Sequence, residues 1–193
     1  MLKKSLIVLA IAGMLCCRAR RPELTPPDGT HFRSLGVKFS FREKDVRQSG
    51  RIVWRFDGEH SKFIFFTPLN QIGLELDVSG EDAVLANFTR KECWQGDFHV
   101  LLERMWGIDM SFSSLKALLL AGEIPRGDFA AKGIEADMEP NPGGGAPRAV
   151  RLRRGDAELS LRLTRDEYRP GKVVLAGYEE RYRAADLESV LAE

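Results

Sequence analysis

Apolar and polar residues alternate with a period of two through much of the first half of the chain. Val37, Phe39 and Phe41 are spaced by Lys38 and Ser40; Ile52, Trp54 and Phe56 by Val53 and Arg55; Ile72, Leu74, Leu76 and Val78 by Gly73, Glu75 and Asp77. A period of two sends successive side chains to opposite faces of a sheet, so each run predicts a strand with one apolar and one polar face. Phe63 to Phe66 is apolar on both sides, and Val84, Ala86 and Phe88 make a further candidate. Gln48-Ser49-Gly50, Gly58-Glu59 and Ser79-Gly80-Glu81 read as the turns between them. Loops this short predict an antiparallel meander of five strands.

The period then changes. Phe98, Leu101, Leu102, Met105 and Trp106 recur at three and four residues, which places them on one stripe of a helix from about Asp97 to Gly107. A second helix is expected from an N-cap at Ser111 or Ser113 through Leu115, Leu118 and Leu119, ending at Gly122 with Pro125 just beyond. The run from Pro140 to Pro147 holds three prolines and three glycines and is an exposed loop. Alternation returns in Val150 and Leu152, then in Leu159, Leu161 and Leu163, and more weakly from Lys172 to Tyr182; Ala184 to Ala192 reads as a short terminal helix. The pattern as a whole predicts a mainly β fold with minor α: a strongly curved antiparallel sheet whose apolar concave face is covered by a helical lid at about residues 97–122. Pattern alone leaves open whether the interior is filled by side chains or hollow for an apolar ligand, and a filled core is the more ordinary outcome.

The N-terminal residues change the picture by saying where the domain resides. Lys3 and Lys4 precede an uninterrupted apolar stretch from Leu6 to Leu15, followed by Cys16 and Cys17. An apolar stretch of roughly ten residues is too short for a bilayer core that needs about twenty, so it reads as a cleaved export signal over residues 1–16. A thiolate at its end is the nucleophile that accepts a diacylglyceryl group, which marks a lipoprotein signal. Cys17 is the expected lipidated residue, because Cys16 would put the bulky Leu15 directly at the cleavage site. The alternative is an ordinary secretory signal with incidental cysteines. Arg18, rather than aspartate, follows Cys17 and favours the outer membrane. Residues 17–35, with Arg20, Arg21, Pro22, Pro26, Pro27 and Gly29, read as the lipidated cysteine and a flexible tether.

Composition narrows the rest. Residues 36–193 have the length of one domain with a sizeable core. The 29 basic and 28 acidic residues are well mixed and leave a net charge of +1, so nothing suggests a nucleic-acid footprint. Beyond the signal only Cys93 remains, which excludes an internal disulfide; beside Trp94 it reads as a small buried hydrophobe. His31, His60 and His99 lack metal-ligand spacing, and no G-x-S-x-G or GxxxxGK[ST] motif occurs. Glu135, Asp137 and Glu139 share one strand-like face and read as a solvated edge rather than a catalytic set. Neither an enzyme nor a bound metal or cofactor is expected.

Trp54 with Phe56, Phe63 to Phe66, the turn Thr67-Pro68-Leu69-Asn70-Gln71-Ile72-Gly73 leading into Leu74-Glu75-Leu76, and later Trp106-Gly107-Ile108, Leu115 to Leu119 and Gly122-Glu123-Ile124-Pro125 form an ordered set. Behind a lipidation signal, that set resembles the LolB-type outer-membrane lipoprotein receptors, of the LolA/LolB-like lipoprotein localisation fold. The resemblance covers roughly Gly36 to Phe129; the C-terminal third matches loosely, and the chain continues past the family's usual last strand through Tyr178. It implies that the curved sheet is a half-open β-barrel with a helical lid, which accepts acylated lipoproteins from a periplasmic LolA-type carrier. The receptor then inserts them into the outer membrane, acting as a lipid-anchored monomer on its periplasmic face. It further implies that Trp54, Phe56, Phe63, Phe65, Leu74 and Leu76 line an acyl-chain cavity, that Leu101, Met105, Leu115 and Leu119 belong to the lid, and that Pro68 and Leu69 form a membrane-insertion loop. The competing expectation is a lipid-anchored structural or lipid-binding envelope protein of the same fold without transfer activity.

Overall fold

The computed structural model describes residues 31–58 and 60–192; the export signal, Cys17 and most of the tether lie outside the described residues. Six strands come first: β1 (His31–Glu43), β2 (Val46–Phe56), β3 (His60–Phe66), β4 (Ile72–Ser79), β5 (Asp82–Asn87) and β6 (Glu92–Asp97). Then follow α1 (Phe98–Trp106), α2 (Phe112–Lys116, continued as a π-helical turn over Ala117–Ala121) and α3 (Arg126–Ala131). The chain finishes with β7 (Glu135–Glu139), β8 (Ala149–Arg154), β9 (Ala157–Pro170), β10 (Arg183–Ala184) and α4 (Leu187–Leu191).

The strands form one ten-stranded sheet in the order β10-β6-β5-β4-β3-β2-β1-β9-β8-β7. All neighbours are antiparallel except β10, which pairs parallel to β6. The ends of the sheet, β10 and β7, do not pair with each other, so the barrel stays open. A register shift at Gly36/Val37 interrupts the long β1–β9 ladder. Gly36 is required there: a Cβ would lie 2.9 Å from Thr164 Oγ1 and 3.1 Å from Arg165 Cβ, closer than packed atoms tolerate.

Alternation sorts side chains between two faces as the sequence predicts. Val37, Phe41, Ile52, Trp54, Phe63, Phe65, Leu76, Leu159 and Leu161 are buried on the inner face, in one cluster with α1 and α2. Several boundaries differ. β1 begins at His31 and already buries Leu35, inside the stretch read as tether. The first hairpin turns at Lys44 rather than at Gln48-Ser49-Gly50, which belongs to β2. β6 and α3, both short, were not expected, and β6 holds Cys93, which is indeed buried.

The largest correction concerns β5. Its inner-face residues are Ala83 and Leu85; the expected apolar set of Val84, Ala86 and Phe88 belongs to the outer face, where it packs with Cys93, Ala176, Tyr178 and Tyr182. Lys172 to Tyr182 is accordingly not a strand but a strap crossing that outer face, with one 3-10 turn at Tyr178–Glu180. Asp57 Oδ2 accepts from Val173 N at 3.0 Å and Asp77 Oδ2 from Ala176 N at 2.7 Å, and the Tyr178 hydroxyl donates to Glu75 Oε2. Lys62 Nζ lies 3.3 Å from both Glu75 and Asp77 and faces the Tyr178 ring. The chain then rounds the β6 edge as β10 and returns to the inner side as α4, where Val190 is fully buried. Asn87 Nδ2 donates to the Val190 carbonyl at 2.9 Å.

Candidate functional site

The inner face and the helices enclose a small, wholly apolar space. Its floor is Val37, Ile52, Trp54, Phe63, Phe65, Leu76, Leu159 and Leu161, supplied by five strands; its roof comes from α1, the α1–α2 connection and α2, with Leu102, Met105, Met110, Leu115 and Leu119 among them. The space is about 30 Å³, room for little beyond a water molecule or two. Pockets that hold small molecules measure roughly 300–1,000 Å³. The structure is therefore a closed form in which roof and floor fill each other's gaps.

Aromatic contacts lock one end of this interior. Trp54 stacks on Phe63 with centroids 5.1 Å apart, and Phe112 meets Trp54, Phe63 and Phe98 edge-on at 6.1, 6.0 and 5.0 Å. The Trp54 indole N–H is buried without an acceptor among the described residues. At the other end Trp106 lies 5.6 Å from Phe39 and 6.4 Å from Phe65, one residue before Phe66 and the β3–β4 loop.

Polar ties between roof and sheet are few and unequal. At the Phe98 end, Glu81 accepts from Phe112 N at 2.8 Å and Ser113 N at 3.2 Å, while its carbonyl accepts from Phe98 N at 2.8 Å. One residue of the β4–β5 turn thus holds the start of both helices. Ser111 Oγ caps α2 by accepting from Ser114 N at 3.1 Å, as the sequence predicts. At the Trp106 end, Arg154 Nη1 donates to Glu103 Oε1 at 2.9 Å and to the Gly107 carbonyl at 3.2 Å. That pair is half exposed, and such pairs contribute little. Gly107 and Gly122 close the two helices in left-handed conformations, at φ 63° and 68°.

The β3–β4 loop is a tight, self-bonded turn. Thr67 N donates to the Gln71 carbonyl at 2.9 Å, Asn70 N to the Thr67 carbonyl at 2.9 Å and Gln71 N to Thr67 Oγ1 at 3.2 Å. These bonds leave Leu69 at the tip, 81 % exposed, instead of tucked against the sheet edge.

Of the expected cavity residues, Trp54, Phe63, Phe65 and Leu76 are in the floor, whereas Phe56 and Leu74 pack against the core beside it. Met105, Leu115 and Leu119 line the roof; Leu101 is fully buried on α1 without reaching the space. Met110 was missed, because it lies in the connection between the helices where no periodicity marks it. Glu135, Asp137 and Glu139 are exposed along the edge strand β7. Among the described residues, no group of three His, Cys, Asp or Glu side chains is placed to hold a metal ion.

The family model described as "Outer membrane lipoprotein LolB" matches residues 31–143, more than half of the chain. The chain belongs to the LolB family. The match spans β1 to β7, including the roof, the Leu69 loop and the floor residues of β1 to β4; β8, β9 with the floor residues Leu159 and Leu161, and the C-terminal strap follow it. No curated protein sequence matches this chain. Among solved structures, the chain is similar to a LolA superfamily protein from Nitrosomonas europaea, at 10% identity and a TM-score of 0.47, covering 76% of this chain and 89% of that one. The Mycobacterium tuberculosis lipoprotein LppX is also similar, at 11% identity and a TM-score of 0.32, covering 69% of this chain and 85% of that one. A third is an uncharacterized conserved protein from Thermus thermophilus, at 8% identity and a TM-score of 0.34, covering 81% and 90% of the two chains.

Proposed function

We propose that this LolB-family protein is a lipoprotein-binding receptor, not a catalyst. It takes acylated lipoproteins from a periplasmic LolA-type carrier and inserts them into the outer membrane, to which its own lipidated Cys17 anchors it on the periplasmic side. Family membership supports the lipoprotein-binding role and the outer-membrane location. The observation that carries the reading is an apolar floor and roof joined by non-directional contacts, with the roof fixed at the Glu81 end and weakly tied at the Trp106 end.

An acyl chain cannot enter the closed form, so binding requires the helices to lift. Lifting the Trp106 end opens the floor toward the β3–β4 loop, where Leu69 is exposed. At about 0.8 kcal/mol per buried methylene, sheltering one long chain is worth on the order of 10 kcal/mol, which works against the cost of separating the roof from the floor. Pro68 and Leu69 then deliver the chains into the bilayer. Transfer runs downhill if the membrane holds the chains more tightly than the cavity does, with no nucleotide hydrolysis.

A photo-crosslinker at Leu119 tests the cavity, and is expected to capture the acyl group of a lipoprotein supplied on its carrier. Leu69→Glu is expected to retain that capture and lose incorporation into vesicles. Depletion of the protein should leave other lipoproteins on the carrier or the inner membrane. The tight closed interior favours a second reading, an anchored structural protein of the same fold. Absence of acyl capture at Leu119 together with unchanged lipoprotein sorting on depletion would establish that reading instead.

A further inference from the structure

Strand register aligns three cations on the outer face. Lys38 of β1 lies directly opposite Arg51 of β2 and opposite Arg162 of β9, and all three are exposed. Side chains directly opposite in an antiparallel pair start about 4.5–5.5 Å apart, and like charges there repel. On the same face two other cations, Arg42 and Arg153, share Glu158, at 3.7 and 3.0 Å. Among the described residues, Lys38, Arg51 and Arg162 have no acidic partner. The row is a repulsion that the fold leaves in place.

Arg51 is also held in position. Its guanidinium sits 4.8 Å from the centroid of the Phe66 ring and donates to Asn70 Oδ1, which leaves the Asn70 amide N–H groups as donors. Lys38 and Arg51 open onto a groove of about 440 Å³ whose other walls include Ser49, Asn70, Phe66 and Pro68. Cations and amide and hydroxyl donors line it beside apolar walls. Leu69, the exposed tip, is the next residue along.

We propose that Lys38 and Arg51, extended by Arg162, form a binding site for the phosphate group of bilayer lipids beside the Leu69 loop. The proposal rests on the reading that this loop meets the membrane. A phosphodiester carries one negative charge and acceptor oxygens on every side, which complements two adjacent cations and the Ser49 and Asn70 donors. With Leu69 at the acyl boundary, the cations beside it lie at headgroup depth, where each basic residue adds to attraction for an anionic surface. The site orients the mouth of the barrel on the bilayer before cargo is released.

The test uses residues 31–193, which contain all ten strands and the buried core, so that the lipid anchor does not mask the interaction. Binding to phosphatidylcholine vesicles is measured with and without phosphatidylglycerol, over a salt series. Lys38→Gln and Arg51→Gln are each expected to weaken binding to the anionic vesicles about fivefold, and to flatten its salt dependence, without lowering the melting temperature. Wild-type binding by both variants overturns the proposal. Saturable binding of inorganic phosphate that Arg51→Gln abolishes, with vesicle binding unchanged, assigns the site to a free phosphate and overturns the lipid source. Unchanged vesicle binding with reduced uptake of lipoprotein from the carrier assigns the row to an acidic protein surface and also overturns it. Leu69→Glu separates the two readings: if it leaves vesicle binding intact while Arg51→Gln weakens it, the phosphate site stands and the insertion loop does not.

Discussion

Trp54 shows how much one residue sets. It stacks on Phe63, meets Phe56 and Phe112, and forms part of the cavity floor. Trp54→Ala is expected to cost about 3–5 kcal/mol, read as a lower denaturation midpoint, because the surrounding rings collapse only partly into the void. Glu92 works by charge. Arg183 and the Ser189 hydroxyl, the latter at 2.8 Å, hold its carboxyl below the usual range. A carboxyl lowered in the folded state stabilises above its unfolded value and loses that contribution as pH falls through the folded value. Calorimetry from neutral into acid pH is expected to show a shallower loss of melting temperature for Glu92→Gln than for the wild type. Burial raises Asp77 in the opposite sense, with the Ala176 N–H and Lys62 working against the shift, so only the difference between the two proteins isolates Glu92.

Among the elements, the roof helices depend on unequal ties. Glu81→Ala removes acceptors from two backbone N–H groups at the start of α2 and is expected to destabilise by about 1–3 kcal/mol. Amide exchange should quicken across residues 98–121. Arg154→Ala breaks a half-exposed pair and is expected to cost less than about 1 kcal/mol, with exchange changed only near Gly107. Equal effects of the two substitutions would contradict a roof fixed at one end. The π-helical turn at Ala117–Ala121 widens α2 where Leu118 and Leu119 are buried, a geometry that needs tertiary packing to persist.

At the scale of the molecule, the C-terminal strap makes one side of the open barrel a finished surface. It covers Ala86, Cys93 and Phe88 on the outer face, pairs β10 along the β6 edge and buries Val190 on the inner side. Phe88, Tyr178 and Tyr182 meet edge-on with centroids 5.6 to 6.2 Å apart. Ending the chain after Pro170 is expected to lower the melting temperature and, by exposing an unpaired strand edge beside an apolar patch, to cause association detectable by light scattering. Val174, 76 % exposed, carries none of this, and Val174→Ser should be silent in both measurements.

Residues and their spacing were enough to determine which faces are apolar along β1, β2, β4, β8 and β9, and where the two roof helices run. Those features follow from local periodicity, and the ordered aromatic, turn and helix segments also indicated the family. Trp54 and Leu76 were legible as inward-facing for the same reason, whereas Phe63 and Phe65, in a run apolar on both faces, were placed inside only by the resemblance. Long-range packing decided the rest. Val84, Ala86 and Phe88 show an apolar period of two, but a period does not say which face it belongs to; that waits on what covers each side. Lys172 to Tyr182 alternates weakly, yet two of its backbone N–H groups, those of Val173 and Ala176, donate to Asp57 and Asp77, residues distant in sequence that only the folded sheet brings near. The volume left between floor and roof is likewise a sum over side chains from five strands, two helices and their connection, and no single stretch of chain contains it.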